Sequence, residues 1–170
     1  MSILSLIILA GGILLQFLVI LSGMSHNPTV PLRDVYFLQA STNGISGGDF
    51  TRNPARWTFL SICGANNGHN VNCGNTHAAL PFDPPRNFGT NNNVPQAFIG
   101  TDQYYYMSRF MFAFYLIALF FAVVALFTGL LALCTRLGAY LSGLNTVIAA
   151  FFQVITAALM TYVQPSTHLL

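Results

Sequence analysis

Cys63, His69, Cys73 and His77 place two thiols and two imidazoles within fifteen residues, in the stretch RWTFLSICGANNGHNVNC and the four residues that follow it. Three chemistries suit that set. In the first, Cys63 and Cys73 pair. The intervening GANNGHNVN is small, polar and turn-prone, and a cross-link closing so short a loop contributes about 2–3 kcal/mol by the chain-entropy account. In the second, two Cys and two His form a zinc shell. The spacing departs from a close Cys pair followed by a close His pair, and thiols in an oxidising compartment tend to oxidise before they hold metal. In the third, both thiols stay free. A small domain with little core needs a staple, and an oxidising exterior permits one, so the disulfide is the favoured reading.

Other signatures of chemistry are scarce. The chain has no HExxH and no phosphate-cradling glycine loop. Asp34, Asp49, Asp83 and Asp102 are scattered, and His26, His69, His77 and His168 keep no tight spacing with them. The expectation is a protein that is not an enzyme, with no catalytic residues, no cofactor and no metal.

The elements that must position this segment are greasy. Of 170 residues 54% are hydrophobic and 6% charged, against about 25% charged in an ordinary soluble domain. Lys and Glu are absent, leaving six Arg and four Asp. So few charges cannot cover a soluble surface, and much of the chain must face lipid. A net charge of +2 without a basic cluster excludes a nucleic-acid footprint.

Three apolar runs predict transmembrane helices over residues 3–22, 108–134 and 137–163, each long enough for a hydrocarbon core of roughly 30 Å. The first lacks a positive n-region and a small-residue cleavage pattern, so it reads as a retained helix and not as a signal peptide. Residues 24–107 hold most of the Asn, Pro and Gly. VYFLQA and RWTFLSIC within them read as strands, and Pro54, Pro81, Pro84 and Pro85 argue against long helices. The expected architecture is an α-helical membrane bundle with a small β-sheet domain over 24–107, then a tail over 164–170. Arg136, alone in the turn between the second and third runs, places that turn in the cytosol and residues 24–107 outside, as a disulfide would require.

Smaller features assign single residues. Trp57 and Phe59 are read as β-domain core or as an interface. Tyr104, Tyr105, Tyr106 and Arg109, just before the second run, read as an aromatic membrane-interface belt with a snorkelling Arg. Gly138, Ser142 and Gly143 allow close helix packing. Cys134 reads as a small core residue or a palmitoylation site. A pore would have only Gln16, Asn145 and Gln153 to line it, and no charged residue lies inside the runs, which disfavours a carrier.

The motifs VYFLQASTNGI, RWTFLSIC with Cys73, NFGTNNNVPQAFI and YYYMSRFMFAFYLIALFF, in this order, resemble the fungal eisosomal tetraspan family, the claudin-like group that includes PalI-related proteins. The resemblance covers most of residues 30–125. It implies a β-sheeted extracellular loop stapled by Cys63 and Cys73, a plasma-membrane location, and a structural role in furrow-like eisosome compartments linked to the cell wall. Implied partners are sphingolipid- or sterol-rich membrane lipids, further copies of the same chain and cytosolic coat proteins. Two departures stand out. The family often has Trp three residues before the first Cys, where this chain has Leu60, and it has four spans where this chain shows three. The alternatives are a sensor or signalling subunit for ambient pH, with His69 and His77 as the titrating groups, and a pore or transporter subunit.

Overall fold

The structure is a computed structural model that describes residues 3–45, 52–94, 99–100, 102–133 and 135–163. Asp49, Cys134, His168 and the 164–170 tail lie outside the described residues. Three helices are long and apolar enough to cross a membrane: α1 (Ile3–Leu21), α3 (Gln103–Leu131) and α4 (Arg136–Val163). Between α1 and α3 come a 3-10 turn (Leu32–Asp34), four strands and a short helix α2 (Pro84–Phe88). The chain divides into two compact units. One comprises α1 up to Phe17 with Met111–Ala158, and the other Leu18–Phe110 with the chain from Leu159 onward. The fold is a helical membrane bundle with a small β domain.

In the β domain, β1 (Leu38–Ala40), β2 (Ala55–Trp57), β3 (Ile62–Asn66) and β4 (His69–Val71) form one antiparallel sheet in sequence order. Leu38 pairs with Trp57 and Trp57 with Ile62, so these three share one face. Residues one step along point the other way, which puts Gln39, Arg56 and Cys63 together on the opposite face. All three residues of β2 are buried, so both faces of the sheet are covered. The apolar face packs Trp57, Ile62, Phe82 and Phe88 into the core.

Three segments differ from the sequence expectation. RWTFLSIC is two strands, because Thr58 turns the chain: its N–H donates to the Ser61 carbonyl at 3.0 Å, and its Oγ1 accepts from the Ser61 N–H at 3.0 Å. Such local side-chain bonds compete with a strand ladder. In VYFLQA only the last three residues are strand, since the Val35 N–H closes the 3-10 turn onto Leu32. α3 begins at Gln103, so YYYMSR forms the first turns of the helix itself. α2 has Pro84 at its first position and ends at Gly89 with φ of 64°, a left-handed cap that glycine adopts without a Cβ penalty.

The helical unit holds by small residues and a few side-chain bonds. Ala118, Ala122 and Ala125 of α3 are buried at spacings of four and three, a stripe that lets a neighbouring helix approach. Phe114 stacks on Phe152 with ring centroids 5.8 Å apart.

Candidate functional site

The β domain is organised around the hairpin β3–β4. Asn66 pairs with His69, leaving Asn67 and Gly68 as a two-residue loop with φ of 50° and 81°. Positive φ at both positions is the turn that Asn-Gly favours and that matches strand twist. At the open end of the hairpin Cys63 and Cys73 form a disulfide, both fully buried. The staple and the turn therefore fix opposite ends of one hairpin. Cys73 is anchored twice more: its N–H donates to the His26 carbonyl at 2.9 Å, and the His26 Nδ1–H donates to the Cys73 carbonyl at 2.6 Å. With both sulfurs bonded to each other, neither serves as a thiolate ligand for zinc, and the free-thiol reading falls with it.

The polar face of the sheet carries a buried cation. Arg56 is 6% exposed. Its Nε donates to Gln39 Oε1 at 2.7 Å, and one terminal nitrogen donates to the Gly68 carbonyl at 2.9 Å and to Asn70 Oδ1 at 3.2 Å. The guanidinium lies 4.1 Å from the centroid of Tyr36. Among the described residues no carboxylate pairs with it. Neutral acceptors and a π face thus satisfy it. Asn70 in turn donates to the Val35 carbonyl at 2.9 Å, tying the chain after the 3-10 turn to the edge strand. His69 Nδ1–H donates to Asp34 Oδ1 at 2.5 Å, and Arg33 lies 3.7 Å from the other oxygen. The bond from His69, helped by its charge and that of Arg33, holds the Asp34 carboxyl below its usual range.

Trp57 lies inside the core and not at a membrane interface. It is fully buried, with edge-on contacts to Phe82 at 5.2 Å and Phe88 at 6.0 Å. Phe59 is 2% exposed and sits 5.4 Å from Phe37. With Val19, Tyr36 and Met160 these two rings line an apolar cleft of about 290 Å³. Tyr104 packs against the core, 6.2 Å from Phe82. Tyr105 carries Arg86 and Arg109, each with its guanidinium 4.6 Å from the ring centroid. Tyr106 is exposed and meets Tyr105 edge-on at 5.4 Å.

On the helices, the Ser142 hydroxyl is buried and donates to the Ala125 carbonyl of α3 at 2.9 Å. A Cβ on Gly138 would fall 2.6 Å from the Ala132 nitrogen, so that position needs glycine for space. Gly143 has nothing within 4 Å of such a Cβ. Gln16 and Gln153 bond to each other at 3.2 Å, and Asn145 donates back to the Leu141 carbonyl of its own helix at 2.7 Å.

Several organising residues escaped the sequence reading. Ser108 is 3% exposed; its hydroxyl donates to the Tyr104 carbonyl at 2.8 Å and accepts the Phe82 N–H at 3.0 Å, joining the core loop to α3. Gly23, with φ of 78°, lies so close to Thr58 that a Cβ would overlap its hydroxyl, and the Ser61 hydroxyl donates to the Gly23 carbonyl at 2.9 Å. Asn67-Gly68 was the signal available for β4, and nothing in the sequence points to Ser108 or His26.

The model of the SUR7/PalI family matches residues 1–164. The SUR7 family protein FMP45 of Saccharomyces cerevisiae is 40% identical over 121 residues, 71% of this chain and 38% of that protein. Protein SUR7 of Candida albicans is 40% identical over 119 residues, covering 69% and 42% of the two chains. An uncharacterized plasma membrane protein of Saccharomyces cerevisiae, YNL194C, is 39% identical over 119 residues, 69% of this chain and 38% of its own length. The chain thus spans about two fifths of the length of these relatives. No solved structure matches it.

Proposed function

The chain belongs to the SUR7/PalI family, and from that premise we propose that it is a non-enzymatic organiser of fungal plasma-membrane compartments of the eisosomal, furrow-like kind. It acts by lateral assembly of its helices and by contacts of the β domain, a role that extends to cell-wall integrity. The observation that carries this reading is the constraint within the β domain. The hairpin is stapled by Cys63–Cys73, its core is closed by Trp57 and Phe82, and Ser108 bonds that core to the first turns of α3. A domain so constrained presents a fixed surface for lateral contacts.

The plasma-membrane assignment draws support from the relative so named. Residues 24–107 face the exterior in this reading, since a disulfide persists in an oxidising compartment and Arg136 marks the cytosolic side. Tyr104, Tyr105, Tyr106 and Arg109 then lie at the outer interface. Partners are further copies of the chain, sphingolipid- or sterol-rich lipid and cytosolic coat proteins. The test is imaging of the fluorescently tagged protein in fungal cells, with bleaching recovery and labelling of intact cells by a charged maleimide. The expected result is stable patches with slow recovery, and labelling of Cys63 and Cys73 only after an impermeant reductant. A uniform, freely diffusing distribution would sink the organising role, and labelling that requires permeabilisation would invert the topology.

A second reading, a subunit for sensing ambient pH, is favoured by the bond between His69 and Asp34. Replacing His69 and His77 with Gln abolishes any pH-dependent redistribution under that reading and leaves patches unchanged under the first.

A further inference from the structure

We propose that the pocket lined by His77, Arg86, Asn87 and Arg109 holds the phosphodiester of a phospholipid headgroup. The pocket encloses about 340 Å³, with Leu80 and Pro81 as its apolar wall. Its two guanidinium groups are in different electrostatic states. Arg86 is engaged on two sides, by Asp83 at 3.2 Å and Asp102 at 2.6 Å. Arg109 has no carboxylate partner among the described residues and rests only on the Tyr105 ring. Both carboxylates near the pocket contact Arg86 and neither contacts Arg109, so the guanidinium open to a ligand is that of Arg109.

The chemistry of that ligand follows from the donors. A guanidinium presents five N–H groups in a planar fork that matches two oxygens of a phosphate. Asn87 has its Oδ1 occupied by the Asp83 N–H at 2.8 Å, so what it offers an incoming group is amide N–H. The site is one of donors around a guanidinium that no carboxylate among the described residues touches, which suits an oxyanion.

The source of that oxyanion follows from position along one helix. Arg109 is in the second turn of α3, and from Phe110 to Leu131 the helix carries no charged residue. A guanidinium at the start of so long an apolar stretch sits where hydrocarbon gives way to headgroups. Lipid phosphates are concentrated at that depth, whereas soluble phosphate must compete from bulk water. The aromatic ring of Tyr105 holds the guanidinium in place before the lipid arrives, which lowers the ordering cost of binding.

The test is native mass spectrometry of the purified chain in detergent, titrated with phosphatidylinositol, with a diacylglycerol of the same acyl chains, and with inorganic phosphate. One phosphatidylinositol per chain is expected, with the diacylglycerol and inorganic phosphate binding far more weakly. Arg109→Gln should weaken the phospholipid about tenfold, and Arg109→Lys, which keeps the charge without the fork, by less. Arg136→Gln, the control at the other boundary of the helices, should leave it unchanged. Tyr105→Leu, which removes the ring but no charge, provides a second variant and should weaken binding two- to threefold, on the order of one cation–π contact. Unaltered emission from Trp57 and an intact disulfide confirm folding. The site is overturned if Arg109→Gln binds as tightly as the parent chain or if the diacylglycerol binds equally well. Inorganic phosphate binding as tightly as the phospholipid would overturn the lipid assignment.

Discussion

The β domain and the helical unit solve the same problem with opposite materials. The β domain fixes its backbone with covalent and polar devices: a disulfide, an Asn-Gly turn, a buried Arg held by three neutral acceptors, and Ser and Thr hydroxyls bonded to main chain. The helical unit has its backbone bonds satisfied within each helix, as lipid requires, and its contacts are set by small residues, by the Phe114–Phe152 stack and by side-chain bonds such as Ser142–Ala125 and Gln16–Gln153. A domain of short strands has little core per residue and leans on cross-links and turns. A membrane helix is stable before it packs, so its side chains decide only where it packs.

The sharpest probe of that contrast is phenylalanine, the same side chain in two solvents. Phe82 is fully buried against Trp57 and Tyr104, and Phe82→Ala should cost about 3–5 kcal/mol in β-domain stability. Phe120 on α3 is 63% exposed, and Phe120→Ala exchanges lipid contact for lipid contact with little change in stability. Denaturation followed by the emission of Trp57, the single Trp of the chain, reads the first event without interference. Comparable losses in both variants would show that the two regions unfold as one and would dissolve the comparison.

Removing the staple comes next. Cys63→Ser with Cys73→Ser should cost about 2–3 kcal/mol for a loop of this length. The Trp57 transition should move to lower denaturant while the helical signal in circular dichroism stays put. Helices melting with the β domain would mean that the staple acts beyond its own hairpin. A smaller change tests the other side: Ser142→Ala deletes the buried hydroxyl bond to Ala125, and interhelical bonds of this type are worth about 0.6 kcal/mol on average. The expected result is a slight drop in resistance to detergent-denaturant mixtures with the Trp57 transition unmoved.

The same contrast explains what was legible in the sequence. The three helices could be read because charge-free apolar length is a sufficient signal in a bilayer, and their extents differ from the reading chiefly at α3, which starts at Gln103. The disulfide could be read from spacing and compartment. Strand boundaries could not, because Thr58 and Ser61 bend what looks like a continuous run. The burial of Arg56 beside Trp57 could not be read either, because it depends on Gln39, Gly68 and Asn70, which lie 12 to 17 residues away. The helix-packing residues divided by neighbourhood: Ser142 and Gly138 meet other backbone while Gly143 meets nothing. The same small residue at a similar spacing has different meanings depending on what faces it. The charged pocket at Arg109 was half legible, as a boundary Arg, but its partner Arg86 approaches through the fold of α2 and the Tyr105 ring.

The smallest expected effect is also the one that separates two carboxylates within the β domain itself. Asp34 is exposed and its carboxyl is held low, mainly by the bond from His69. Asp83 is largely buried, and burial pushes its carboxyl up against the opposing pull of Arg86. The signs therefore differ. A depressed group contributes stability above its unfolded value, near pH 4, and loses it as pH falls through its folded value. A raised group favours the folded state below its unfolded value, and that preference is lost as pH rises through its folded value. Asp34→Asn should therefore flatten the acid limb of a stability-against-pH curve, and Asp83→Asn should steepen it, both within a narrow window around pH 4. The Asp34 effect is reduced further by solvent screening and should shrink in high salt, while that of the buried Asp83 should persist. Curves for the two variants that shift in the same direction would mean that His69 is not what governs Asp34, and the polar edge of the β domain would then be held by Asn70 and Arg56 alone.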